Sequence, residues 1–352
     1  MSTTDTTGPA GPTGNRTVLV LLDTPGVELR SPVLELITLA RRVGRVEAVA
    51  LESPSIETLA QLGAHGVETV RQAELSADGH GVAGDVTHLT PVLAEALAAA
   101  ARGSDADVVL LTSSFPNKEA AARLAFLAGA GLVVDATGLD IADASGEGDA
   151  AGVVVADKSV FAGSWDVRSA VTTDLAVVVV RANSVLPEPV AEAVKTDVVG
   201  FAVELSAGAT ATRVVSRTVR ESSSSGRPAL GEAAVVVTGG RGTNGDFAPV
   251  VELAEALGAA VGATRDAVYE GWHDQFVGQT GVTVAPRLYV GAGVSGAPHH
   301  RGGMQASQVI VAVNSDPECP LFEISDFAVV GDLADVLPQA AAVIREHRES
   351  QG

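Results

Sequence analysis

Short apolar runs alternate with helix-patterned segments over the first third of the chain, and nothing else in the sequence restricts its fold as much. TVLVLL at Thr17–Leu22, VEAVAL at Val46–Leu51, VETVR, and DVVLLTS at Asp107–Ser113 have the length and β-branched content of strands. Between them lie SPVLELITLARRVG, SIETLAQLGAHG and LTPVLAEALAAAARG, whose apolar residues recur at helical spacing. Strands that are apolar throughout need cover on both faces, and helical crossovers supply it. The alternation therefore predicts a mostly parallel sheet between two helical layers.

Beyond Gly146 the pattern changes. GVVVADKSVFAGSWDVRSAV, LAVVVVRANS, FAVELS and TRVVSRTVRE read as β segments without helices between them, which predicts an antiparallel extension of the first sheet. Glu221–Ala229 (ESSSSGRPA) replaces apolar periodicity with Ser, Gly and Pro, the composition of a linker. Alternation then resumes with a strand at Ala234–Val237, a helix through FAPVVELAEALG, the strands RLYVG, VIVAVN and FAVVG, and a last helix from Leu333 to about His347. The expected fold is α/β, with residues 1–16 a flexible tail and 17–220 a mostly parallel N-terminal α/β domain with added β segments. Residues 221–231 are expected to form a linker, and 232–347 a Rossmann-like C-terminal domain on a parallel sheet.

Charge and cysteine usage remove several function classes. A formal net charge of −20 opposes nucleic-acid binding, which depends on clustered Lys and Arg to neutralise phosphates. The single cysteine, Cys319, allows no internal disulfide and no multi-cysteine metal site, and beside two prolines it reads as a small packed residue. His299 and His300 are adjacent, a poor metal geometry because neighbouring side chains diverge. Apolar runs such as Ala176–Val180 are far shorter than the ~20 residues of a spanning helix, so no membrane insertion is expected. MSTTDTTGPAGPTGNR lacks the pattern of a signal peptide, which predicts a cytoplasmic protein.

Three loops at strand ends carry the candidate chemistry. VTGGRG brings glycines and Arg241 to the end of one strand, VGATRDAVYEG brings Thr264 and Arg265, and the run Val277–His300 brackets a short strand with two glycine-rich loops. Amides and cations at such positions suit an anionic, partly aromatic ligand. Each element also has a plain reading taken alone: GGRG as a tight turn, Arg265 as a solvated helix-start residue, GQTG as a turn, His300 as a helix cap, Asn314 and Asp332 as turn formers.

Taken in order, VTGGRG, VGATRDAVYEGW, VGQTG, LYVGAGVSGAPHH and IVAVNSDPECPLFEISDFAVVGDL resemble the C-terminal flavin-binding domain of the electron-transfer flavoprotein α subunit over more than a hundred residues. VELRSPVLELITLARRVG, DVVLLTSSFPNKEAAARLA, AGLVVDATGL and KSVFAGSWDVRSAV extend the resemblance into the first domain. The resemblance implies FAD as cofactor, with Arg241 near its pyrophosphate and Thr264 and Arg265 at the flavin. It implies that Val277, Gly278, Gln279 and Thr280 run along the isoalloxazine, and that Ser295, Gly296, Ala297, Pro298, His299 and His300 hold the cofactor, His300 near the flavin C2 carbonyl. Asn314, Asp332 and Leu333 are implied at the adenosine half. The chain departs from the family pattern at Val282, at Pro298 and His299, and at Arg301.

A flavin that accepts one electron gathers negative charge at N1 and O2, where a fixed cation and an imidazole, Arg265 and His300, would stabilise it. The motifs offer no general acid–base pair, nucleophile or metal cage, which suits an electron carrier rather than an enzyme. The partners implied by the resemblance are a β subunit completing a heterodimer, acyl-CoA dehydrogenases or similar flavoenzymes as donors, and a membrane quinone oxidoreductase as acceptor. Two other classes stay open on residues alone: a nucleotide-dependent oxidoreductase with its own small substrate, and a non-redox α/β subunit that has lost FAD.

Overall fold

The computed structural model describes residues 16–24, 28–82, 85–142, 152–161, 163–216, 218 and 226–351. Apart from Arg16 the expected tail lies outside them, as do residues 221–225 of the expected linker. The chain divides into two compact units, one of Met1–Lys158 with Val167–Val219, the other of Ser159–Asp166 with Arg220–Gly352.

The first unit contains, in chain order, β1 (Thr17–Leu21), α1 (Ser31–Val43), β2 (Arg45–Ala50), α2 (Ile56–Ala64), β3 (Thr69–Ala77), β4 (His80–Gly81), α3 (Thr90–Ser104), β5 (Val108–Thr112) and α4 (Phe115–Ala128). There follow β6 (Gly131–Ala136), β7 (Gly138–Ala142), β8 (Val153–Val160), β9 (Trp165–Ala170), β10 (Ala176–Val180), β11 (Asp197–Glu204) and α5 (Ala207–Thr210), with residues 159–160 of β8 and 165–166 of β9 assigned to the second unit. Seven strands lie in the order β11-β3-β2-β1-β5-β10-β6, and the short β4 pairs antiparallel with β3. The pairings along that path are parallel, as the alternation predicts. Successive residues of β1 serve opposite faces: Val18 and Val20 join a core with Leu36, Ile37 and Ala40 of α1, whereas Leu19 and Leu21 join one with Leu97 of α3 and Leu124 of α4.

The later β segments do not extend this sheet antiparallel. β7, β8 and β9 form a separate three-stranded sheet, in which β7 and β8 pair antiparallel from Gly138↔Asp157 to Ala142↔Val153. β10 then enters the large sheet between β5 and β6, parallel to both, and β11 runs parallel to β3 at one edge. AVVVV has no polar residue to place on a wet face, and all of β10 is buried, the behaviour of a central parallel strand. TRVVSRTVRE does not form a strand over 212–216, and most of the rest of that segment lies outside the described residues.

The second unit contains β12 (Val235–Gly239), α6 (Ala248–Leu257), β13 (Ala260–Ala263), α7 (Arg265–Tyr269), β14 (Leu288–Ala292), α8 (Pro298–Met304), β15 (Val309–Asn314), β16 (Phe327–Val330) and α9 (Leu333–Gln351). Its five strands are parallel in the order β13-β12-β14-β15-β16, so the chain reverses its direction of travel across the sheet between β12 and β14. In open α/β sheets this switch point, at the carboxyl ends of the strands, opens a crevice. One face packs Val236, Tyr289, Ile310 and Met304, and the other packs Val237, Val290 and Val313 against Leu253 of α6 and Leu337 of α9. Among the described residues, no helix is long and apolar enough to cross a membrane.

Candidate functional site

Loops leaving the carboxyl ends of β12, β13, β14 and β15 converge on a cleft of ≈ 380 Å³ at the switch point. Its floor is backbone. Gly240 N–H donates to Ala292 O at 2.9 Å and Gly242 N–H to Gly293 O at 3.1 Å. A Cβ on Gly240 would stand 2.2 Å from Gly293 O, and one on Gly242 would stand 2.7 Å from Gly293 Cα. Gly293 itself has φ 62°, the left-handed region in which a side chain is strained. These glycines let two loops close directly on each other.

At the end of β13, Thr264 N–H donates to Gly239 O at 2.9 Å, and its hydroxyl caps α7 by accepting from Ala267 N–H at 3.4 Å. This turn places Arg265 and Asp266, both exposed, at the rim. Arg241, 69% exposed, comes from the β12 loop and pairs with Asp266 at 3.4 Å. The segment Phe276–Val282 closes one side: Val277 N–H donates to Ala263 O at 2.9 Å, and Gln279 N–H donates to His299 O at 2.8 Å.

Pro298 opens α8, where its missing N–H and fixed φ suit the first turn, and two histidines follow. They diverge, His299 being exposed and His300 only 6% exposed. His300 Nε2 meets the hydroxyl of Tyr289, a fully buried residue of β14, at 2.7 Å. Burial pushes His300 down to about 4, with the Val277 backbone pulling the other way, so the imidazole is neutral at physiological pH. Its Nδ1 is fully buried as well. Desolvation pushes the Tyr289 hydroxyl well above its usual range, and it keeps its proton.

The loop after β15 supplies the opposite wall. Asn314 Nδ2 donates to Val294 O at 3.2 Å and contacts Cys319 Sγ at 3.2 Å, while the thiol donates to Val294 O at 3.3 Å. Cys319 is thus a packed residue, 3% exposed, whose thiol is turned to the main chain. Arg301 ties two loops together: Nε donates to Gly296 O at 2.7 Å, Nη2 to Pro320 O at 2.6 Å, and the guanidinium pairs with Glu323 at 3.1 Å. That clasp gives the departure at Arg301 a structural reason.

Of the residues singled out from sequence, the cleft gathers Arg241, Thr264, Arg265, Val277, Gly278, Thr280, Ser295, Gly296, Ala297, His299, His300 and Asn314. Gln279, Pro298, Asp332 and Leu333 do not line it. Asp332 precedes α9, its carboxylate accepting from Ala334 N–H at 2.9 Å, and Leu333 packs in the core. The site reading omitted Asp266, Phe276, Gly293, Val294, Asp316, Cys319 and Pro320, which also line the cleft. Position after an apolar strand was the available signal for Asp316. For Phe276 and Val294, only contact across the sheet reveals the role.

Comparison with known proteins covers most of the chain. Residues 18–206 match the family described as electron transfer flavoprotein domain, and residues 229–305 match the electron transfer flavoprotein FAD-binding domain. The electron transfer flavoprotein subunit alpha of Mycobacterium leprae is 42% identical over 335 residues, covering 94% of this chain and 98% of the relative. The protein of the same name from Mycobacterium tuberculosis strain H37Rv is 40% identical over 340 residues, 94% of this chain and 99% of the relative. That of Paracoccus denitrificans is 53% identical over 123 residues, 34% of this chain and 40% of the relative.

Proposed function

This chain belongs to the electron transfer flavoprotein family as an alpha subunit, and we propose that it completes a heterodimer with a β subunit and relays electrons between other proteins. It is an electron carrier, and its C-terminal unit contains the family's FAD-binding domain. The proposed donors are acyl-CoA dehydrogenases or similar flavoenzymes, the proposed acceptor is a membrane quinone oxidoreductase, and the proposed compartment is the cytoplasm.

The residues present fit FAD. Glycines at the cleft floor let two loops close on each other where a side chain would force them apart, and Arg241 and Arg265 offer positive charge at the rim for a phosphate-bearing ligand. Bound FAD supplies the redox chemistry, accepting and releasing electrons at its isoalloxazine ring. In the proposed arrangement Arg241 balances the pyrophosphate. Thr264, Arg265, Val277, Gly278 and Thr280 line the flavin. Ser295 to His300 hold the cofactor, and Asn314 serves the adenosine half.

The neutral, buried His300 carries the reading. A histidine held near pKa 4, with one ring nitrogen occupied by Tyr289, is a poor proton acceptor at neutral pH, and the Cys319 thiol is turned to a carbonyl. Such groups bind and orient a cofactor; they do not equip the cleft to transform a small substrate. The test is to co-produce this chain with its β subunit and follow the visible spectrum. One FAD per heterodimer, reduced by a substrate-loaded acyl-CoA dehydrogenase and reoxidised by a quinone oxidoreductase, is expected. Steady turnover of NAD(P)H or of a small organic substrate by the heterodimer alone would overturn the carrier reading.

A further inference from the structure

Two loops meet along a seam in the cleft wall, one over residues 294–297 between β14 and α8, the other over 315–324 between β15 and β16. Gly296 and Ala297 line the cleft from the first, Cys319 and Pro320 from the second. Among the described residues, no backbone N–H of either loop donates to a carbonyl of the other. Their main chains nonetheless touch: Gly296 has φ 80°, and a Cβ on it would stand 2.9 Å from Leu321 Cα. Contact that close leaves no space for interlocking side chains at this point, so polar ties across the seam have to reach it from outside.

Arg301 supplies them. It stands on α8 four residues beyond Ala297, whose carbonyl accepts its N–H at 3.0 Å, and it does not line the cleft. Nε donates to Gly296 O at 2.7 Å and Nη2 to Pro320 O at 2.6 Å, so one planar guanidinium holds one carbonyl of each loop. Nη1 and Nη2 also reach Glu323 at 3.1 Å, but that carboxylate is 71% exposed and such a pair adds little. Asn314 Nδ2 and the Cys319 thiol tie the same two loops at 3.2 Å and 3.3 Å, both through Val294 O beside the strand end. Farther out, at the buried Gly296, the tie is Arg301.

We propose that Arg301 is a positioning residue, which holds the seam between these loops closed and so slows the escape of bound FAD without tuning the flavin's redox behaviour. The inference rests on the flavin reading above. A ligand seated against Gly296, Ala297, Cys319 and Pro320 stays in place for as long as the two loops keep their separation, and walls fixed in advance act mainly on the rate of dissociation. A fork bonded to both loops restrains that movement while taking no room from the ligand, because the side chain lies outside the cleft.

The test is FAD release from the loaded heterodimer, followed as the rise in free-flavin fluorescence on dilution. Arg301→Met keeps an unbranched side chain and removes the fork. Release is expected to be roughly tenfold faster, the loss of one charge-assisted hydrogen bond, with the first-electron potential unchanged. Glu323→Gln removes the ion pair and leaves both carbonyl bonds, so its release is expected to stay within about twofold of wild type. Hydrogen exchange locates the change: in Arg301→Met the amides of 294–297 and 319–324 are expected to exchange faster, and those of β12 and β13 as in wild type. Wild-type release in Arg301→Met, or release in Glu323→Gln as fast as in Arg301→Met, would overturn the proposal. So would faster exchange spread over the whole second unit, the mark of general destabilisation. If Arg301→Met does not fold, Arg301→Lys decides the matter: it keeps the charge but lacks the fork, so faster release is expected and wild-type release overturns the proposal. A wild-type heterodimer that takes up no FAD overturns the flavin reading and this inference together, whereas unchanged release from a loaded variant overturns this inference alone.

Discussion

Arg241 and Asp266 meet at 3.4 Å on the rim of the cleft, and both side chains are more than half exposed. An anion arriving there competes with Asp266 for the guanidinium, and the carboxylate also repels it directly. Removing that charge while keeping the side-chain shape, in Asp266→Asn, should tighten FAD binding. An exposed pair of this kind corresponds to roughly a two- to fivefold change in affinity, screened by salt. Titration of the apo heterodimer with FAD at low and high ionic strength checks both parts: tighter binding at low salt and convergence with wild type at high salt. A variant that binds FAD more weakly would show that Asp266 orders the loop rather than opposing the ligand. His300 and Arg241 are legible in the sequence through the order of the motifs that carry them, since taken alone each also reads as a cap or part of a turn. Tyr289, inside the apolar strand LYVGA, reads only as core, and its contact with His300 emerges only when α8 brings a ring nitrogen to its hydroxyl.

Glu35 shows how an element can carry a pH response of its own. It sits on the buried side of α1, 2% exposed, and accepts from Ser31 Oγ and Ser184 N–H, each at 3.1 Å. Burial raises it from 4.5 to about 7, partly offset by the hydrogen bonds it accepts. A carboxyl raised on folding binds more protons in the native state. Its contribution to stability is complete below pH 4.5 and is lost as pH rises through 7. The change across that window is roughly 3 kcal/mol. Glu35→Gln has nothing to titrate, so melting curves between pH 4 and 8 should show wild type losing stability relative to the variant as pH rises; a constant difference would mean the carboxyl is not raised. Helices and parallel strands were legible wherever apolar period and length agreed, as in α1, β1 and β12. β10 was legible as a strand but not as a central one, because AVVVV does not say which neighbours it joins. Its place became clear from burial on both faces, a property of packing rather than of local pattern.

At the scale of the whole molecule, the chain has two units with separate cores and leaves several large apolar side chains in water. Phe115 and Phe126 of α4 are 85% and 89% exposed, Trp165 of β9 is 67% exposed, and Phe327 of β16 is 63% exposed. Such exposure is unfavourable for a free monomer and expected of a subunit awaiting its partner. The isolated chain should therefore self-associate or bind a hydrophobic dye, and co-production with the β subunit should suppress both; light scattering and dye fluorescence of the two preparations decide it. A stable, monodisperse monomer would count against the proposed heterodimer. Within the second unit, the main-chain contact of Gly240 and Gly242 with Gly293 bears on how such a protein can change over generations. A side chain at any of the three needs a matching shift in the facing loop, so no single substitution there leads gradually to another functional floor. Side chains at the rim, such as Asp266, can be exchanged one at a time. A lineage built on this framework can thus retune how strongly its cofactor is held far more readily than it can adopt a different one.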